Sequence, residues 1–124
     1  MHIHGASAVI DGEIKKQVCI KAVDGFITAV STNCTETPDS NHAGTLIPGF
    51  VDIHSHGGGG FYFSDLSPEN VAAARNTHLA CGTTTHIASL VTEPIGVLEE
   101  QILRLLPMVN AGGFEGIHLE GPYL

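Results

Sequence analysis

Cationic side chains are scarce in this sequence. Five Lys and Arg stand against 13 Asp and Glu, a formal net charge of −8 over 124 residues. A basic footprint for neutralising nucleic-acid phosphates is therefore missing. Long apolar runs are absent too: none approaches the roughly 18 residues of a membrane-spanning helix. The N-terminus has neither the cationic start nor the continuous apolar core of a secretory signal. No Ser7, Ser64 or Ser89 context forms a nucleophile elbow, and no Walker-type or G-x-G-x-x-G phosphate fingerprint occurs. Three cysteines (Cys19, Cys34, Cys81) are odd in number and form no C-x-x-C. They read as reduced, packing thiols, which suits a cytoplasmic protein. These absences leave a globular protein with no nucleic-acid or membrane partner.

The length supports one ordinary domain and is too short for a complete eight-stranded α/β barrel, which needs roughly 200 residues or more. Residues 1–46 read as short strands. The turn dipeptides Asp11-Gly12 and Asp24-Gly25 separate β-rich runs, a good hairpin signal, so a small antiparallel sheet is expected. The stretch from Thr35 to Gly44, with Pro38, Asp39, Ser40 and Asn41, reads as a loop. From Leu46 the pattern changes. A short apolar strand ending at His54 leads into Gly57–Gly60. Ser67-Pro68 starts a helix that runs to about Ala80 and stops near Gly82. Thr83–Val91 is a second strand. A second helix from about Pro94 places Ile95, Leu98, Ile102, Leu105 and Val109 on one face. Residues 114–120 form a third strand, broken by Gly121-Pro122. The order β-α-β-α-β implies parallel strands with crossover helices. Three strands and two helices make an incomplete layer with raw edges, so a fragment of a larger α/β protein is expected.

Histidine is abundant, with eight residues, and two of them carry the first chemical signal. In a strand, residues i and i+2 project from one face, so His54 and His56 point together and Ser55 points away. Asp52 shares their parity, whereas Val51 and Ile53 are expected on a helix-covered side. Two neutral imidazoles at a parallel-strand end are good ligands for Zn²⁺ or a similar divalent ion. His2-Ile3-His4 has the same spacing but lies at a chain terminus with no glycine loop behind it, and it reads as incidental. The glycines permit positive φ and close backbone approach, so Gly57 and Gly58 are expected to shape the entrance to the site. Glu120 closes an apolar strand just before a chain breaker, where a carboxylate can bind a metal or bridge two. His118 shares its strand face and reads as support for a ligand or as an interior imidazole. His78, on the first helix, reads as packing or solvent-facing. The facing of His86 is open.

The run Leu46-Ile47-Pro48-Gly49-Phe50-Val51-Asp52-Ile53-His54-Ser55-His56-Gly57 resembles the first barrel strand of the amidohydrolase superfamily. Gly82-Thr83-Thr84-Thr85, Ser89-Leu90-Val91-Thr92 and Gly116-Ile117-His118-Leu119-Glu120-Gly121-Pro122-Tyr123-Leu124 are similar to the N-acetylglucosamine-6-phosphate deacetylase family. The His-Leu-Glu-Gly-Pro run discriminates best. The leader resembles the N-terminal half of the small β-sandwich that flanks such barrels. The resemblance implies half a β-sandwich over residues 1–48 and the first strands and helices of a (β/α)8 barrel over residues 49–124. It implies a metal-dependent hydrolase of amino-sugar catabolism that releases acetate from N-acetylglucosamine 6-phosphate. His54 and His56 would hold one ion and Glu120 would bind or bridge to a second, with zinc first and iron, cobalt or manganese as alternatives. The catalytic aspartate and two further histidines would lie beyond Leu124, leaving the fragment inactive alone. A homodimer is implied for the complete enzyme. The His-x-His strand by itself also fits a dihydroorotase or an isoaspartyl dipeptidase, and a non-catalytic metal-binding module is the reading from another class.

Overall fold

A computed structural model describes residues 1–123; Leu124, the last residue of the third-strand motif, lies outside the described residues. The chain forms two compact units, the first ending at Pro48 and the second beginning at Gly49. No helix among the described residues is long and apolar enough to cross a membrane.

The first unit is a four-stranded sheet of β1 (His2–Ile10), β2 (Glu13–Val23), β3 (Phe26–Ser31) and β4 (Ser40–Leu46), in the order β3-β2-β1-β4. Two-residue turns join the first three strands. Asp11 and Gly12 have φ of 52° and 78°, and Asp24 and Gly25 have 51° and 82°. Positive φ at both central positions is the turn geometry whose twist matches antiparallel strands. Ile10 pairs with Glu13 and Val23 with Phe26 accordingly.

Two expectations fail in this unit. Half of the supposed loop is β4, and β4 pairs with β1 in parallel, so the sheet is mixed. The strand is polar and mostly exposed at a sheet edge, so no apolar alternation announces it. Cys19 and Cys34 are also not separate thiols. They are disulfide-bonded, with Cα atoms 5.6 Å apart, and only Cys81 is free. The bridge follows from the β2–β3 pairing, which sets Cys19 opposite Ser31 and returns the following loop toward it.

The second unit holds a parallel sheet of β5 (Phe50–Ser55), β8 (Thr83–Leu90) and β9 (Gly116–Leu119), in the order β5-β8-β9. A short hairpin of β6 (Gly57–Gly58) and β7 (Phe61–Tyr62) follows β5. Helix α1 (Pro68–Ala80) connects to β8, and α2 (Ile95–Asn110) connects β8 to β9. The start of α1 is written locally. Ser67 Oγ accepts the Asn70 N–H, and Pro68 fills the first turn, where an N–H would go unused. Its end is local too, at Gly82 with φ 98°. Leu98 and Leu105 of α2 join Phe63, Val71, Ala74, Ala88, Leu90 and Phe114 in one buried cluster.

Strand β5 is not the buried strand that its composition suggests. Val51 and Ile53 are 64% and 65% exposed. Helix α1 packs on β6, β7 and β8, and α2 packs on β9, so neither covers that face of β5.

Candidate metal centre

Parallel strands end on the same rim, and side chains at their C-terminal ends converge there. His54 and His56 come from the end of β5, and Glu120 follows β9. The Glu120 N–H donates to Leu90 O at 3.1 Å, which extends the ladder one residue past β9 and sets the side chain. Glu120 Oε1 lies 3.0 Å from His54 Nε2 and 3.2 Å from His56 Nε2. The donor atoms of all three residues lie within 4.8 Å of one another.

The His56 Nδ1–H donates to Ser89 O at 3.1 Å, because a carbonyl only accepts. In the neutral form of the ring the Nε2 lone pair then faces the Glu120 carboxylate, 3.2 Å away. A proton or a metal ion between these groups holds two such Lewis bases together at this distance. Donor atoms about 2.0–2.1 Å from one tetrahedral ion lie about 3.3 Å apart, close to both observed separations. The donor set of two imidazoles and one carboxylate suits a borderline divalent ion, so these residues fit the metal that the sequence suggests.

The surrounding residues support the strand end that carries the trio. The His54 N–H donates to Asp52 Oδ1 at 3.1 Å. His118 Nδ1 lies 3.3 Å from Ser89 Oγ, and its ring centroid is 5.1 Å from that of His54. The glycine run is a packed hairpin. A Cβ on Gly57, whose φ is 155°, would strike the Phe61 carbonyl, and one on Gly58 would sit 2.9 Å from His78 Nε2. Two hollows adjoin His56. One, of about 280 Å³, is bounded by the glycines with Phe61 and Tyr62, and the other, of about 230 Å³, by Tyr62, Ser64, Ser89 and Val91. A cavity of about 620 Å³ is lined only by first-unit residues and touches none of the trio.

Asp52 departs from its expected alignment with His54 and His56. Its Oδ2 lies 3.5 Å from His78 Nδ1 and 3.9 Å from His86 Nε2, within a second cluster of possible ligands. The β5–β8 register is irregular between Asp52 and Ser55, which defeats a strict two-residue alternation. Ser55 Oγ reaches His86 Nε2 at 2.5 Å, and the His78 Nε2–H donates to Gly57 O at 2.9 Å. His86 is 4% exposed, between the rings of Phe63 and Phe114. Burial holds its pKa below the usual imidazole value; His78 and Arg75 act in the same direction, and Asp52 opposes them. This network ties β5 to α1 and β8. The sequence carried no sign of it, because its members come from three elements and meet only through strand register.

No protein-family model matches the chain. It is 29% identical over 97% of its length to the N-acetylgalactosamine-6-phosphate deacetylase of Shewanella sp. (strain ANA-3), covering 33% of that protein. It is 30% identical over 98% of its length to the N-acetylglucosamine-6-phosphate deacetylase of Bacillus subtilis (strain 168), covering 34%. The crystal structure of N-acetyl-D-glucosamine-6-phosphate deacetylase from Mycobacterium smegmatis matches all of the chain, with a TM-score of 0.90 and 37% identity over 36% of that protein. A mutant of the same enzyme, in complex with N-acetyl-D-glucosamine-6-phosphate, matches with a TM-score of 0.89. These relatives are amino-sugar-phosphate deacetylases. The chain spans about a third of their length and shares the α/β fold of the Mycobacterium smegmatis enzyme over that third.

Proposed function

We propose that this chain carries part of the metal centre of an amino-sugar-phosphate deacetylase, with His54, His56 and Glu120 as ligands of a zinc-class divalent ion. The observation that carries this reading is one carboxylate oxygen within 3.2 Å of two imidazole nitrogens. The deacetylase activity of the relatives supplies the reaction, hydrolysis of an N-acetyl amide. The structure of the relative with N-acetyl-D-glucosamine-6-phosphate supplies the substrate class. In the whole enzyme, β5, β8 and β9 would be the opening strands of a (β/α)8 barrel, working in the cytoplasm.

When bound, the ion supplies Lewis acidity that activates water and polarises the acetamide carbonyl. The residues in hand have simpler tasks. The Ser89 carbonyl holds the His56 ring in the tautomer that leaves Nε2 free. Asp52, by accepting the His54 N–H, fixes the backbone from which that imidazole projects. The Gly57–Tyr62 hairpin leaves a hollow beside His56 where an acyl group has room. Proton transfer to the leaving amine needs another acid or base. Among the described residues, no carboxylate besides Glu120 joins the trio, and Asp52 is engaged by His78 and His86.

The 124-residue chain should therefore bind one zinc-class ion at this centre without turning substrate over. Metal content after dialysis, with acetate release from N-acetylglucosamine 6-phosphate, tests both halves. Stoichiometric zinc, lost in His54→Ala, supports the reading. Metal content unchanged by that substitution, or turnover by the chain at enzyme-like rates, refutes it.

A further inference from the structure

The second His-x-His pair also has a chemical setting. In β1, His4 stands directly opposite Cys19 of β2, and His2 opposite Lys21. Directly opposed antiparallel residues share a sheet face. The two imidazoles meet edge to face with centroids 4.9 Å apart. Donor atoms of His2, His4 and Cys19 lie within 4.8 Å of one another, and Cys34 is bonded to Cys19. Two sulfurs and two imidazoles thus gather on one patch of the first unit. This patch shares no residue with the His54–His56–Glu120 centre.

The ring nitrogens are the unexplained part. His2 Nδ1 and His4 Nε2 are both buried and have no hydrogen-bond partner. The nearest anion to His2 Nδ1, the Glu36 carboxylate, is 3.8 Å away and is shared with Lys21 Nζ at 3.4 Å. Buried polar atoms in native proteins are almost always satisfied, by protein groups, an ordered water or an ion, and these two lie in a cluster of potential ligands. The disulfide gives these nitrogens nothing, since its sulfurs are bonded to each other. The reduced pair would differ. Two thiolates with two imidazoles are the donor set of a closed structural zinc site. A recess of about 120 Å³ beside His2, Cys19 and Glu36 gives access.

We propose that the first unit is a redox-switched metal site, in which His2, His4, Cys19 and Cys34 bind one zinc-class cation when the disulfide is reduced. A dithiol reductant supplies two electrons and two protons. The Cys19–Cys34 bond breaks to two thiols, and the dithiol becomes a disulfide. Cation binding then releases the two thiol protons and forms two metal–thiolate bonds. Thiol–disulfide exchange with an oxidised dithiol takes up the two electrons, reverses the sequence and expels the ion. A reducing compartment would hold the metal-bound form, and an oxidising one the disulfide.

Cobalt(II) is the probe, because thiolate-to-cobalt charge transfer absorbs in the near ultraviolet and needs a sulfur ligand. The His54–His56–Glu120 centre has none and is silent in that band. The full chain, carrying Cys81→Ser to remove the free thiol, is reduced with a dithiol, desalted anaerobically and titrated with cobalt. One equivalent producing the band, its absence from the oxidised chain and its bleaching by zinc support the site. Loss of the band in His2→Ala/His4→Ala, with retention in Glu120→Gln, assigns the ligands. Three results overturn the proposal. One is a reduced chain that keeps its far-ultraviolet sheet signal and shows no band at saturating cobalt. Another is a band unchanged in the double histidine variant. The third is loss of the sheet signal on reduction even with metal present.

Discussion

Replacing Glu120 by Gln keeps the size and one carbonyl oxygen of the side chain but removes its charge. In the structure that carboxylate touches both imidazoles, and it is the only anion in the trio. Losing a residue that merely orients a metal ligand typically costs about 10–100-fold in affinity. A group that meets the ion directly belongs at or beyond the upper end, so about 100-fold is expected. The loss can be read without catalysis, from the stability that metal adds to the folded chain. A ligand at about 1,000 times its Kd stabilises by about 4.1 kcal/mol, and at about 10 times Kd by about 1.4 kcal/mol. At one fixed zinc concentration, set from the unsubstituted chain, the metal-induced gain should therefore fall by about 2.7 kcal/mol in Glu120→Gln.

The metal-free comparison separates ligation from ordinary pairing. The His54 side chain is 52% exposed, and a partly exposed ion pair contributes only about 0–1 kcal/mol. Without metal, then, the two chains should unfold at nearly the same urea concentration. The assay is urea unfolding with and without zinc, followed by far-ultraviolet circular dichroism. Equal zinc-induced gains in both chains would refute the ligand assignment. A large metal-free difference would show that Glu120 acts by pairing with charged imidazoles, which refutes it equally.

Phe63 is 1% exposed, packs edge to face on Phe114 and His86, and sends its N–H to His56 O at 2.8 Å. Phe63→Ala should cost about 3–5 kcal/mol in urea unfolding, with Phe63→Leu recovering most of it; a loss below about 1 kcal/mol would remove this ring from the core. Burial lowers the pKa of His86 below the usual imidazole value, so between the folded and unfolded pKa values the unfolded chain binds the extra proton. Stability should fall as pH drops through about 6.5 and level off below the folded pKa. The urea midpoint should therefore drop more between about pH 7.5 and about pH 5.5 in the unsubstituted chain than in His86→Gln; equal drops would contradict it.

Local chemistry was legible and long-range pairing was not. The bounds of α1 follow from Ser67-Pro68 at one end and Gly82 at the other, and the structure places the helix at Pro68–Ala80. The Asp-Gly dipeptides marked both hairpins for the same reason, since a turn depends on its own residues. Strand β4 was hidden because its partner β1 lies more than thirty residues earlier and its own residues are polar. Val51 and Ile53 suggested burial by composition, but which face a helix covers is a property of the helix's path. The Cys19–Cys34 bridge depended on hairpin register in the same way.

The candidate site shows how far residue spacing can carry a reading. His-x-His occurs twice, and the spacing alone assigns no chemistry to either copy. For His54 and His56, the informative signs were a strand end, a glycine run and a carboxylate closing a later strand before Gly121-Pro122. For His2 and His4, the informative neighbours are cysteines across a hairpin, which a scan for glycine loops passes over. The donors opposite each pair then make the two sites chemically unlike. Two imidazoles with a carboxylate accept harder divalent ions such as manganese or iron(II), whereas two imidazoles with two thiolates select zinc-class ions and exclude hard ones. Manganese should therefore add stability through the His54–His56–Glu120 centre alone, whatever the redox state of the first unit. A manganese response that required reduction, or that vanished in His2→Ala/His4→Ala, would show that the division of donors between the two pairs is wrong.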